Sequence, residues 1–168
     1  MERNNDLTTL EVLTIGVKAE MQAVDLYTRM KEKAGEDDLR DKMEFLIGQE
    51  QRHERILRDA FAKQFPDVEL KVPVKSVVPT ISDTLSRDAT MKELFDAAIE
   101  AERLAETFYT DLAKKTRDHN SRSLLEYLAS MEHSHLSILE AEYHRFELAT
   151  DQDDDDFLRG DRFMHFGP

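Results

Sequence analysis

Shifted by 82 residues and laid over itself without a gap, this chain repeats, and the repeat restricts its possible folds more than any other feature. Over positions 8 to 65 the offset gives 15 identities in 58. Thr8 falls on Thr90, Glu11 on Glu93, Ala19 and Glu20 on Ala101 and Glu102, Ala23 on Ala105, and Tyr27 and Thr28 on Tyr109 and Thr110. In the second part of each copy Glu44 falls on Glu126, Leu46 on Leu128, Glu50 on Glu132, His53 on His135, and Ile56 and Leu57 on Ile138 and Leu139. Matched Leu, Ile and Ala positions are what any two amphipathic helices share. The matches of His53 with His135 and of Tyr27 with Tyr109 need another reason.

Each copy reads as a helical hairpin, because five Gly and four Pro in 168 residues leave long stretches of unbroken helical period. Thr8 and Glu11 make a capping box, with Leu7 and Val12 as its staple. The first helix is therefore expected from Thr8 to about Ala34 and Gly35, with Leu13, Val17, Val24, Leu26 and Tyr27 on its apolar face. Gly35 stops it, and the anionic Glu36, Asp37 and Asp38 open a second helix over 38–65 that Pro66 cannot continue. Thr90 with Glu93 caps a third helix to about Lys115, and a fourth is expected from near Ser121 to about Leu148. The connection 66–89 holds Pro66, Pro73 and Pro79 with Val72, Val74, Val77 and Val78, a composition of extended chain. Such a segment spans the full length of a bundle whose helices measure about 40 Å, so helix three is expected to start at the same end as helix two.

The fold expected is all-α, a four-helix bundle over 1–150 built from two repeated hairpins joined by a long crossover. The remainder, 151–168, is expected to be an acidic, flexible tail, since Asp153 to Asp156 repel one another. No structure is expected of Phe157, Phe163 and Phe166.

With Lys+Arg 23 against Asp+Glu 36, the net charge of −13 repels nucleic acid and anionic membrane surfaces and favours cations as ligands. The absence of Cys removes disulfides, thiolate zinc sites, iron–sulfur clusters and cysteine nucleophiles. No apolar run approaches the ~20 residues of a membrane helix, and residues 1–6 lack the apolar core of a signal peptide. A cytoplasmic protein is expected.

The repeated polar residues carry the chemistry. Each half has a mid-helix Glu, Glu20 or Glu102, and 30 residues later the pattern Glu-x-x-His, Glu50 with His53 and Glu132 with His135. A three-residue step turns a helix by ~300°, so each Glu and its His share one face. Paired hairpins bring four carboxylates and two imidazoles into the bundle interior. Di-iron carboxylate bundles use this donor set, a Glu from each of two helices plus Glu-x-x-His from each of the others. Carboxylates bridge and neutralise two divalent ions, while imidazole favours iron or manganese over calcium or magnesium. Without cations or protons, four buried carboxylates at several kcal/mol each would consume most of a ~5–15 kcal/mol stability. Tyr27 and Tyr109, seven residues after Glu20 and Glu102, fall on the same stripe; their hydroxyls either bond the ligand carboxylates or are satisfied elsewhere in the core. Ala23 and Ala105 leave room beside a metal pair or answer to packing alone. His119, His133, His144 and His165 read as surface residues, and Met21, Met43 and Met131 as core filler.

On the motifs Glu20-x-x-Ala23-x-x-x-Tyr27, Gln49-Glu50-x-x-His53, Glu102-x-x-Ala105-x-x-x-Tyr109 and Glu132-x-x-His135, the chain resembles the ferritin-like di-iron superfamily over 8–148, and most of all the rubrerythrins. The resemblance implies two iron ions per chain, with manganese or zinc as substitutes. Glu50 and Glu132 would bridge, Glu20 and Glu102 would be terminal ligands, and His53 and His135 would bind through imidazole. It also implies an oxidoreductase that acts on hydrogen peroxide or dioxygen, re-reduced by an electron-donor protein, and a homodimer. Iron storage with ferroxidase activity is an alternative, as is a metal-stabilised interaction bundle without turnover. Two features depart from the rubrerythrin pattern. There is no Cys for a rubredoxin-like domain, so the electron donor is a separate molecule, and Ala105 stands where that family commonly has an additional Glu. Glu106, one position on, points ~100° away.

Overall fold

A computed structural model describes residues 8–73 and 85–160. Its elements are four helices, α1 (Thr9–Lys33), α2 (Asp37–Gln64), α3 (Met91–Lys115) and α4 (His119–Gly160), with no strand among the described residues. Both capping boxes form. The Glu11 N–H donates to the Thr8 hydroxyl at 3.2 Å while the Glu11 carboxylate accepts from the Thr8 N–H at 2.8 Å. Glu93 and Thr90 repeat the exchange at 3.2 and 2.7 Å, so each helix start satisfies two donors that would otherwise lack partners. Val12 is buried as a staple residue should be; its expected partner Leu7 lies outside the described residues.

The end of α1 differs from expectation. No described Gly has a positive φ, so Gly35 is not a left-handed cap. The chain leaves α1 through Ala34 in extended conformation, and the Arg40 guanidinium donates to the Ala34 carbonyl at 3.0 Å in place of a glycine motif. α4 also departs from its expected limits. It opens at His119, with the Asp118 carboxylate accepting the Ser121 N–H at 2.8 Å, so His119 is helical and not in a loop. It then continues beyond Leu148 and through the Asp run to Gly160. Neither Gly nor Pro occurs between His119 and Gly160, and like-charge repulsion at helical spacing costs only tenths of a kcal/mol, less than propagation returns. Of the other expectations, Val74, Val77, Val78, Pro79, Phe163, His165 and Phe166 lie outside the described residues.

The core forms two layers. One joins Leu26 and Met30 of α1 to Met43 and Leu46 of α2, Leu94 and Phe95 of α3, and Leu136 and Leu139 of α4. The other joins Val12 and Val17 to Leu57 and Phe61, Tyr109 and Ala113, and Leu125 and Leu128. The late half of α1 thus meets the early half of α3, and the two run antiparallel; α2 and α4 do likewise. Each fully buried Leu or Phe contributes roughly 1.5–3 kcal/mol, so these two layers hold the helices in register. Phe65, Leu70 and Val72 pack against the second layer, whereas Leu85 and Ala89 pack against the first. The crossover therefore leaves one end of the bundle and arrives at the other, and α3 starts where α2 starts, as its length and composition led one to expect. Between the layers, at mid-bundle, the core turns polar.

Candidate metal centre

Glu20 comes from α1, Glu50 and His53 from α2, Glu102 from α3, and Glu132 and His135 from α4. The structure places all six at mid-bundle, and none is more than 3% exposed. The two imidazoles stack at 5.3 Å between ring centroids, 17° from parallel, and turn Nδ1 toward the carboxylates. Glu50 presents Oε2 to His53 Nδ1 at 3.1 Å and Oε1 to His135 Nδ1 at 2.7 Å. Glu132 mirrors it, with Oε1 3.4 Å from His53 Nδ1 and Oε2 3.4 Å from His135 Nδ1. Glu20 approaches only His53, at 3.8 Å, and Glu102 only His135, at 3.9 Å. The arrangement is two positions, each with one imidazole and one carboxylate of its own, spanned by two shared carboxylates.

The tyrosines are paired across the bundle. The Tyr109 hydroxyl of α3 donates to Glu20 Oε1 of α1 at 2.5 Å, and the Tyr27 hydroxyl of α1 donates to Glu102 Oε1 of α3. A shared stripe on one helix suggested closeness to the carboxylates; which tyrosine serves which Glu is settled by α1 lying beside α3.

Without metal, burial forces protons onto this cluster. Glu20 and Glu102 are raised well above the ordinary carboxylate range, first by burial and then by the charge of Glu132. Burial and Glu132 also push Glu50 upward, but contact with His135 and His53 outweighs them and holds it below its usual value. Glu132 is likewise held at about 2 against burial, by His135, His53 and Glu102. Burial lowers both imidazoles, yet the surrounding carboxylates win, raising His53 to about 12 and His135 to about 9. Burial and the neighbouring Glu102 or Glu20 keep both tyrosines protonated as donors. The cluster reaches neutrality as two imidazolium ions, two carboxylates and two carboxylic acids.

That solution leaves the donor set incompletely satisfied. Glu50 Oε1, Glu132 Oε1, Glu102 Oε2 and His135 Nδ1 are buried without a hydrogen-bond partner. His135 Nδ1 and Glu50 Oε1 are close, at 2.7 Å, but lie off the line a hydrogen bond requires. Oxygen and nitrogen donors converging without bonding one another are the donors a divalent ion takes up, and one atom each from Glu50, His53, Glu132 and His135 lies within 4.8 Å of the rest. The residues present fit a carboxylate-bridged metal pair.

The remaining titratable candidates stand apart. His133 is exposed and pairs with Glu106 at 3.2 Å, and His119 and His144 are exposed as well. Met43 fills the core, Met131 is half-buried, and Met21, expected in the core, is 41% exposed because it faces outward beside Arg58.

Two participants escape a reading of composition and spacing. Tyr127 meets the His53 ring edge-on at 6.4 Å. Gly16 lies one turn before Glu20, and a Cβ there would stand 3.0 Å from both the Tyr109 hydroxyl oxygen and Leu57 Cδ1. A lone Gly inside a strong helical pattern is the signal for such a close approach; its repeat partner is Ala98. Ala at position 16 would gain up to ~1 kcal/mol of helix propensity but overpack two buried, anchored side chains at a cost of about 1–3 kcal/mol. We expect Gly16→Ala to destabilise the metal-free protein by about 1 kcal/mol in urea unfolding. A stabilised variant would show that the Tyr109 hydroxyl is free to move.

The rubrerythrin family model matches residues 11–143. No curated protein matches the sequence significantly. Among solved structures, a hypothetical protein from Pyrococcus furiosus is 30% identical with a TM-score of 0.74, over 85% of this chain and 92% of that one. CopM in its Cu(II)-bound form is 12% identical with a TM-score of 0.70, over 84% of this chain and 99% of that one. In its Cu(I)-bound form CopM is 13% identical with a TM-score of 0.68, over the same shares. The likeness to CopM is one of fold.

Proposed function

Because the chain belongs to the rubrerythrin family, we propose that Glu20, Glu50, His53, Glu102, Glu132 and His135 hold a pair of iron ions in an oxidoreductase that acts on hydrogen peroxide or dioxygen. The observation that carries this reading is that Glu50 and Glu132 each offer one oxygen to each imidazole, the placement two bridging carboxylates need. When bound, the iron pair supplies two electrons to an O–O bond.

The protein's own groups prepare the place. His53 with Glu20 serves one position and His135 with Glu102 the other, and Glu50 and Glu132 tie the two together. Each tyrosine hydroxyl holds a terminal carboxylate from the opposite helix, fixing its orientation and keeping a proton beside it. The two apolar layers keep bulk water away, which strengthens every charge interaction between them. Manganese and zinc suit the same donors less specifically. The same reading has the centre re-reduced by a separate electron-donor protein. No described helix is long and apolar enough to cross a membrane. A cytoplasmic homodimer is part of the same proposal, on the resemblance alone.

The test is anaerobic Fe(II) titration followed by rapid mixing with either oxidant. About two irons per chain, oxidised within a single turnover by peroxide or dioxygen, are expected. Continued uptake of iron beyond that stoichiometry under dioxygen would move the assignment to a ferroxidase, and absence of stoichiometric binding would end the metal reading.

A further inference from the structure

At the end of the bundle where α1 and α4 begin and α2 and α3 finish lies a cavity of about 650 Å³, the size of a small-molecule site. None of the six candidate metal ligands lines it. Its walls change character with depth. The inner part is made by Leu13, Leu57, Phe108 and Leu125, one from each helix and each one to two turns in from the helix end. The outer part is made where the helices finish or start, by the uncharged Thr9, Gln64, Thr116 and Ser121 and by four charged residues, Asp111, Lys115, Arg117 and Asp118.

The charges at the mouth are unevenly satisfied. Asp111 pairs with Lys114 at 3.0 Å, and Asp118 accepts the Ser121 N–H at 2.8 Å, so both carboxylates already have partners. Lys115 and Arg117 have no hydrogen bond or ion pair among the described residues. From position 111 to 122 the chain carries Lys114, Lys115, Arg117 and Arg122 against these two acids, which makes the mouth locally positive on a chain of net charge −13. The Arg122 guanidinium donates to the Thr116 carbonyl at 3.0 and 2.8 Å and so holds the turn between α3 and α4 that presents Arg117. The positive end of the α4 dipole lies at the same place.

This gradient selects a ligand class. Water in the inner part finds no hydrogen-bonding group on the four apolar side chains, whereas an apolar chain is released from water there. A cationic head would meet Lys115 and Arg117, and a wholly polar anion would gain nothing from the inner walls. The solute that matches both parts has an apolar body and one anionic head.

We propose that this cavity is a binding site for a small alkyl carboxylate, its head between Lys115 and Arg117 and its chain against Leu13, Leu57, Phe108 and Leu125. The site is separate from the candidate metal centre and does not depend on the metal reading.

Calorimetric titration of the metal-free protein with octanoate, decanoate and dodecanoate, each below its micellar concentration, tests it. One equivalent per chain is expected, with affinity rising about fourfold for each added methylene until the cavity is filled. Decanol, which lacks the charge, should bind at least about tenfold more weakly than decanoate. Lys115→Glu combined with Arg117→Glu, both at exposed positions, should weaken decanoate at least about tenfold and leave decanol unchanged. Ala60→Phe, which fills the cavity from the α2 wall, should abolish binding of both; if that variant does not fold, the charge-reversed protein still decides. Decanoate should shift the methyl resonances of Leu13, Leu57 and Leu125 and leave those of Leu26, Leu46 and Leu139, in the other core layer, in place. No saturable binding, affinity independent of chain length, decanol binding as tightly as decanoate, or shifts confined to the other layer would overturn the proposal. So would binding that occurs only as light scattering shows the protein dissociating into smaller species, because the cavity would then be a contact between copies of the chain.

Discussion

Glu132→Ala is expected to bind no more than one divalent ion per chain, with affinity at least about a hundredfold below that of the wild type. Both Glu132 oxygens lie 3.4 Å from an imidazole Nδ1, one toward each position. Removing the side chain strips an anionic donor from both positions at once, whereas loss of Glu20 or Glu102 would strip one. A buried charge-assisted contact is worth about 1.5–3 kcal/mol, and losing two of them exceeds the ~2.7 kcal/mol of a hundredfold change. Anaerobic calorimetry with Fe(II) or Mn(II) reads both stoichiometry and affinity. Glu126→Ala, at an exposed position on the same helix, controls for loss of acidity and should bind as the wild type does. If Glu132→Ala still took up two ions with wild-type affinity, the spanning role would be wrong and the site assignment with it.

The fold was legible because its determinants are local. Capping boxes at Thr8 and Thr90 and Pro66 just past the end of α2 each act within a few residues, and each appears in the structure where spacing placed it. The repeat then supplied what local signals cannot, the pairing of two hairpins. Where expectation missed, a tertiary or cooperative effect decided. Arg40 caps α1 from six residues away, a contact that Gly35 as a stop signal does not reveal. The Asp run stays in α4 because propagation outweighs weak repulsion at helical spacing. The grouping of Glu20, Glu50, His53, Glu102, Glu132 and His135 was readable from period and repeat together. The crossing of Tyr27 to Glu102 and of Tyr109 to Glu20 was not, since it depends on α1 and α3 being neighbours. Gly16 matters for the same reason: the atoms it accommodates belong to α2 and α3.

Loading the centre should release protons, more than two and up to about four per pair of ions at neutral pH. Metal-free, the cluster balances the negative charges of four carboxylates with protons on His53, His135, Glu20 and Glu102. Two divalent ions carry the same charge and need the same atoms, so ions and protons exclude each other. Calorimetry in buffers of different ionisation enthalpy counts the protons; release of none would mean that the ions bind elsewhere. The sign for stability follows. All four groups have folded values above their unfolded ones, so over the range from about 5 to about 9 the native state binds more protons than the unfolded chain. Their contribution is fully present below the unfolded values and is lost as pH rises through the folded ones. Glu50 and Glu132, both held below the ordinary carboxylate range, act oppositely, but their contributions are lost only as pH falls through those lowered values, outside this window. The metal-free protein should therefore lose stability with rising pH, by at least about 1 kcal/mol per pH unit between 7 and 9. Metal affinity climbs over the same interval as protons leave, so the loaded protein should hold or gain stability where the metal-free one weakens. Urea unfolding of both forms at pH 6, 7.5 and 9 would show the two trends diverging if the ions occupy this cluster, and running parallel if they do not.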